Sequence, residues 1–235
     1  MKILLLFKYY TKMLSQSRST EVYNFIYDSE QVKKFAHLIG TENHLHLTFL
    51  CSRPKYDRRF KQNVISPKSF YNKTADEFLE LVRRYEVEYQ TYTEKDIPIP
   101  SSALVLYSTT NPRNGRKAGK KLITELIDAT FNGTDMFQHL QSRLTSAIMS
   151  SKETTNLLTI DIDDKNEYGP VQAFLQAEEI PVVATVETRG GYHILFSPNY
   201  KTKIVYDHLS SKHTIGDTFC PIPGTIQGGF PVRFI

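Results

Sequence analysis

The chain has no tryptophan, only two cysteines, and no apolar run long enough to cross a bilayer. Cys51 and Cys220 lie far apart and lack the paired spacing of a zinc site, which excludes a disulfide framework and fits a reducing cytoplasm. The apolar stretch Ile3 to Phe7 is cut by Lys8 and is followed by no small-residue cleavage site, so it reads as an edge strand rather than a secretory signal. A membrane helix would need about 18 uninterrupted apolar residues, and no membrane partner is expected. A Gly-x-x-x-x-Gly-Lys-Ser/Thr phosphate loop is missing as well, so any helicase would be a separate chain. Internal repeats and low-complexity tracts are also absent.

What is present is an ordinary globular composition, with 40% hydrophobic and 23% charged residues over 235 positions. The formal charge of +4 is small, but the cations cluster. One group is Arg53, Lys55, Arg58, Arg59 and Lys61; a second is Arg113, Arg116, Lys117, Lys120 and Lys121. Such clusters suit a polyphosphate or a nucleic-acid backbone, and equally a solvated helix face.

Periodicity divides the chain near the Pro-rich tract Asp96 to Ser102. Before it, residues 1–95 read as an α/β accessory region. Val32, Phe35, Ala36 and Ile39 keep helical spacing ahead of Gly40, and the capping box Thr74-Ala75-Asp76-Glu77 opens a second helix bearing Phe78, Leu81, Val82, Tyr85 and Tyr89. The alternation of "HLHLTFLCSRP" predicts a strand between them. After it, residues 96–235 read as the core. "ALVLYST" predicts a strand, Lys117 to Phe131 a helix burying Ala118, Leu122, Ile123, Leu126 and Ile127, and Thr134 onward a helix with Phe137, Leu140, Leu144 and Ile148 inward. Strands at 156–163, 182–188, 191–196 and about 214–219, with helices at about 169–178 and 203–212, complete a βαββαβ unit. The fold class expected is therefore α+β, with a ferredoxin-like or RNA-recognition-like core.

Within that unit "LLTIDIDDKNE" carries two acids into an apolar strand. Alternation places Leu158, Ile160 and Ile162 on one face and Thr159, Asp161 and Asp163 on the other, with the two carboxylates about 7 Å apart at the backbone. Burying unpaired carboxylates is costly, and a divalent cation relieves the cost. An Asp-x-Asp at a strand end can also simply meet solvent or cap a turn. In the usual strand order of this unit the first strand is flanked by the third, which carries His193, and the fourth, which carries Asp217. Four groups would then converge on one sheet face, as a two-metal or metal-plus-phosphate site requires. Ahead of His193, the turn Thr188-Arg189-Gly190-Gly191 offers glycines whose backbone could approach a phosphate, together with a planar guanidinium.

These residues resemble the motifs of the archaeo-eukaryotic primase superfamily, the catalytic domain of primases and primase-polymerases. The resemblance rests on the apolar run ending in Asp-x-Asp, "LLTIDID"; on the small-x-His of Gly191-Tyr192-His193; and on Ile215-Gly216-Asp217 followed by "PIPGTIQGG". It covers about residues 156 to 229 and extends loosely back to Ala103. It implies a template-directed nucleotidyltransferase, with Asp161, Asp163 and Asp217 holding two Mg²⁺ or Mn²⁺ ions. It also implies that His193 and the Arg189 turn (Thr188, Arg189, Gly190, Gly191) bind the triphosphate of the incoming nucleotide. One departure is that Gly216, not an apolar residue, precedes Asp217, so Asp207 in "IVYDHL" is a competing third ligand. The partners implied are nucleoside triphosphates and a single-stranded DNA template, whose phosphates Arg113, Arg116, Lys117, Lys120 and Lys121 would grip.

Two other classes compete. A metal-dependent nuclease would pair Asp161 or Asp163 with Glu187-Thr188-Arg189, although lysine is the usual last member and His193 and Asp217 would be left without a role. A non-catalytic RNA-recognition-like module would present stacking aromatics on the central strands, for which Tyr192 and Phe196 are the candidates.

Overall fold

The computed structural model describes residues 21–235 apart from Asn43, Thr134, Met136 and Gln138. The predicted edge strand at Ile3 to Phe7 lies outside the described residues, as does the start of the helix predicted from Thr134. The described residues form α1 (Ser29–Ile39), β1 (Leu45–Ser52), β2 (Asn63–Tyr71), α2 (Ala75–Arg83), β3 (Thr93–Glu94), β4 (Ile97–Pro98), β5 (Leu104–Thr109), α3 (Gly115–Phe131) and α4 (Leu140–Ser150). There follow β6 (Leu158–Ile162), α5 (Tyr168–Ala177), β7 (Val182–Glu187), β8 (Tyr192–Phe196), α6 (Thr202–Leu209), β9 (Thr214–Gly216), β10 (Phe219–Pro221), β11 (Ile226–Gln227), β12 (Phe230–Pro231) and β13 (Arg233–Phe234).

Local chemistry sets the helix boundaries. At α1, the Asp28 side chain accepts from the N–H groups of Glu30 and Gln31, and Gly40 closes the helix in the left-handed region that glycine adopts freely. At α2, the Thr74 hydroxyl accepts from the Glu77 N–H while the Glu77 carboxylate accepts from the Thr74 N–H, the reciprocal cap expected from the sequence.

Two large antiparallel sheets organise the described residues. The second has the order β13-β7-β8-β6-β9. Its βαββαβ portion places β6 centrally between β8 and β9, the neighbours on which the convergence of acids and histidine depends. α5 and α6 cover one face of this sheet, packing Val171, Leu175, Val205 and Leu209 against Leu158, Ile160, Ile162, Ile194 and Phe196. The strand β13 was not legible because two residues carry no periodicity.

The other sheet has the order β10-β5-β1-β2 and corrects the expected division at residue 96. β1 precedes that point, β5 and β10 follow it, and β1 pairs with β5 from Thr48–Ser108 to Ser52–Leu104. Backbone hydrogen bonds cannot be split between independently folding units, so residues on both sides of the tract share one sheet and one core. That core runs from Tyr23 to Val232 and joins α1 and α2 to Val186 and Leu195 of the second sheet. The tract itself is no linker: Ile99 is buried and its carbonyl accepts from the Tyr23 hydroxyl at 2.7 Å.

A smaller core lies on the opposite face of this sheet, where Ala118, Ala147 and Ile148 pack on Leu47, Phe49, Val105 and Tyr107. Helical spacing overstated the burial of α3 and α4. Leu122 and Leu126 are only half-buried, while Ile123, Ile127, Phe137, Leu140 and Leu144 are exposed, because small residues, Ala118 and Ala147, face the sheet.

Burial of one polar group gives the fold a measurable pH signature. His46 of β1 is fully buried, stacked on Phe70 and placed 3.3 Å from the Thr109 carbonyl, and burial pushes its imidazole down to about 4. Below the ordinary imidazole value near 6.5 the unfolded chain takes up a proton that the folded chain refuses. Stability is therefore full above about pH 6.5 and falls with pH until about 4, by about 3 kcal/mol in all. Urea unfolding between pH 4.5 and 6.5 should show a stability slope shallower by about one proton in His46→Gln than in the parent; equal slopes would refute this.

Candidate active site

The register of β6 against β8 sets Asp161 directly opposite His193, and β6 against β9 sets it opposite Thr214. Paired residues share a face, so Asp161, Asp163 and His193 all point away from α5 and α6, as alternation predicts. The His193 Nε2 lies 3.2 Å from an Asp161 carboxylate oxygen. Burial lowers the His193 pKa, and the opposing fields of Asp161 and Asp163 do not restore it. The imidazole is therefore neutral near pH 7. Its Nε2 faces the Asp161 carboxylate, and among the described residues its Nδ1 is buried without a hydrogen-bond partner.

Asp163 follows the last residue of β6 and its side chain is 82% exposed, against 35% for Asp161. Together the acids and His193 line a cleft of about 430 Å³ between the two sheets. The far wall belongs to the first sheet and the loop after β1: Phe49, Cys51, Arg53, Lys55 and Tyr107. Lys55 Nζ reaches to 3.4 Å from Asp163, and the Arg53 guanidinium donates to the Tyr107 hydroxyl at 3.0 Å. Acids on one wall thus face cations on the other. Arg53 and Lys55 were visible in the sequence only as members of a basic cluster; their position opposite the acids depends on the packing of the two sheets, for which no local signal exists.

The turn between β7 and β8 is built for close approach, though not in the way its glycines suggested. A side chain on Gly191 would collide with the Ile162 carbonyl, so glycine there lets β8 seat against the end of β6. The Gly191 N–H is spent on the Thr188 hydroxyl at 3.1 Å and the Thr188 N–H on the Gly191 carbonyl at 2.9 Å. Arg189 donates to the Gly228 carbonyl at 2.7 Å and lies over the Tyr56 ring, while its N–H meets the Gln227 side chain at 3.1 Å. The expected phosphate cradle of Thr188, Arg189, Gly190 and Gly191 therefore reduces to Thr188, which lines the cleft. Arg189 braces the turn against the segment after β11.

Asp217 is not brought to the acid pair. It follows β9, one residue beyond Gly216, which pairs with Thr159, so Asp217 lies three residues, about 10 Å, along the chain from Thr214 opposite Asp161. Its side chain is 7% exposed and accepts from Arg113 at 2.8 Å and Asn111 at 2.7 Å, with Lys152 at 3.4 Å. A carboxylate buried at the end of the sheet requires such neutralisation, and both of its oxygens are engaged by it. Asp207, the competitor, is exposed on α6, on the covered side of the sheet. Arg113 is corrected by the same contact, since it is buried against Asp217 and cannot grip a template phosphate, whereas Arg116, Lys117, Lys120 and Lys121 are exposed along α3.

Residues of the rival readings fall elsewhere. Glu187 pairs with Tyr192 across the sheet and is held by Lys165 at 2.6 Å and Arg233 at 2.7 Å. Burial works to raise its pKa, yet hydrogen bonds from those two cations leave it below the ordinary carboxylate range. Tyr192 and Phe196 lie on the helix-covered face, Tyr192 stacked on Tyr168, so neither offers a platform beside the acids.

Among the described residues no three His, Cys, Asp or Glu side chains converge as a ready cage. Asp161 and Asp163 nonetheless fit Mg²⁺ or Mn²⁺, because such ions are commonly held by one or two carboxylates, with water and substrate phosphate completing the shell.

Three substitutions separate scaffold from site. Gly191→Ala should destabilise the protein by about 1–3 kcal/mol in thermal or urea unfolding while Gly190→Ala, whose nearest neighbour is the movable Lys55 ammonium at 3.4 Å, is tolerated. Asp217→Ala should cost about 3–5 kcal/mol of stability by stranding the buried Arg113 charge; an Asp217 variant with full stability would mean that the carboxylate serves the cleft instead. No family model, curated protein or solved structure matches the chain.

Proposed function

We propose that the protein is a template-directed nucleotidyltransferase of the primase or primase-polymerase type, as its motifs suggest. The observation that supports this most is the placement of Asp161, Asp163 and His193 on one uncovered sheet face, across a nucleotide-sized cleft from Arg53 and Lys55. A nuclease using Glu187 would need that side chain to leave two ion pairs on the other face.

In this reading Asp161 and Asp163 hold Mg²⁺ or Mn²⁺. When bound, such ions lower the pKa of an attacking 3′-hydroxyl and screen the negative charge of the triphosphate. The protein's own groups orient and neutralise. Arg53 and Lys55 place two positive charges where phosphate oxygens would lie, and Lys55 exchanges its contact with Asp163 for one with substrate. His193 lies against the Asp161 carboxylate and limits the positions it can take. Phosphoryl transfer asks chiefly for such positioning and charge compensation, not for a covalent intermediate on the enzyme. Arg116, Lys117, Lys120 and Lys121 would attract the template backbone in a salt-dependent way.

Incubation with labelled nucleotides, a single-stranded template and Mg²⁺ or Mn²⁺, with and without primer, tests the proposal. Incorporation should fall by about 100-fold or more in Asp161→Asn and in Asp163→Asn, with melting temperatures close to that of the parent. Absence of incorporation by the parent protein, or cleavage of the template in its place, would overturn it.

A further inference from the structure

A second groove opens from the cleft. Gln62, Asn63 and Val64 at the start of β2, together with Met149 of α4, are the shared walls: the first three border the cleft and a neighbouring groove of about 500 Å³, and Met149 reaches both. That groove runs between β2 and α4, with Gln141, Ser142, Thr145 and Ser146 along its helical side and Ile65 and Pro67 along its floor. β2 is the outermost strand of its sheet, and Pro67 within it removes one backbone donor, which discourages pairing with another strand.

Its chemistry differs from that of the cleft. Among the described residues the lining holds amides, hydroxyls, one histidine and apolar side chains, with no lysine, arginine or carboxylate. Side-chain amides present donor and acceptor together, the complement of a base edge, whereas phosphates would call for cations. Cations do lie nearby, on the exposed turns of α3 that pack beside α4.

We infer that the groove between β2 and α4 binds the unpaired bases of a single-stranded nucleic acid and leads the strand toward the acid pair. This rests on the proposed nucleotidyl transfer and names the surface that would present the template to it. The bases lie against Val64, Ile65 and Met149 and meet the Gln62, Asn63 and Gln141 amides, while the phosphates run outward toward the α3 lysines. A duplex, whose base edges are already paired, cannot make these contacts.

Fluorescence anisotropy with a labelled mixed-sequence DNA strand of about 20 nucleotides tests this, using the full chain. A Gln62→Ala/Asn63→Ala double variant removes the amides, and Ser146→Trp fills the groove; all three positions are exposed and should keep parental melting. Each variant should weaken single-strand binding about tenfold without changing the slope of affinity against salt, because neutral contacts release no counterions. The blunt duplex of the same sequence should bind the parent at least about tenfold more weakly. Unchanged single-strand affinity in both variants, a shallower salt slope, or equal affinity for duplex would overturn the inference. If the parent incorporates no nucleotide but the variants still lose single-strand binding, the catalytic proposal fails and the groove survives. Intact incorporation by the parent with unaltered strand binding in both variants leaves catalysis standing and removes the groove.

Discussion

The cross-strand register that sets Asp161 opposite His193 is the constraint on which the cleft depends. A shift of one residue would turn both carboxylates toward α5 and α6, where Val171 and Leu175 pack, and would place unpaired charge in an apolar core. Two devices hold the register. Gly191 seats β8 against the Ile162 carbonyl, a place that any side chain would block. Asn111 grips the other end: its carbonyl oxygen accepts from the N–H groups of Asn156 and Leu157, and its amide donates to the Leu157 carbonyl.

Asn111 also explains why the protein treats its acids differently. Its amide donates to Asp217, so the same residue that aligns the start of β6 also hydrogen-bonds the carboxylate at the end of β9. Asp217 is enclosed by Arg113, Asn111 and Lys152 and ties the two sheets together at the point where the chain crosses between them. Asp161 and Asp163 have no such cage. Among the described residues Asp161 is paired with the neutral imidazole of His193, and Asp163 with Lys55 at 3.4 Å on an exposed side chain. Electrostatically, the closed acid stabilises the scaffold and the open pair remains available to a cation.

Much of the second sheet was legible because its determinants are local. Alternation in "LLTIDID" fixed the face of the acids, apolar runs bounded by Gly and Pro located β7 and β8, and the βαββαβ order carried β6 to the centre. The first sheet was less legible. Nothing near residue 96 signals that β5 pairs back to β1, because pairing across more than fifty residues is written in shape and burial rather than in any short pattern. The place of Asp217 was hidden for a related reason: an acid one residue past a strand end can fall to either side, and its buried partner Arg113 lies 104 positions away. Spacing likewise overstated the apolar face of α3, since it cannot tell a helix that packs through alanines from one that packs through Ile123 and Ile127.

The central claim is that the two open carboxylates at the end of β6 hold the divalent cation. Crystals soaked with Mn²⁺ and a non-hydrolysable nucleoside triphosphate, measured near the manganese absorption edge, test it most directly. An anomalous peak in contact with Asp161 and Asp163, with the phosphates lying toward Arg53 and Lys55, is the result expected. A peak bound by Asp217, or nucleotide bound in the cleft with no metal at the acid pair, would contradict it.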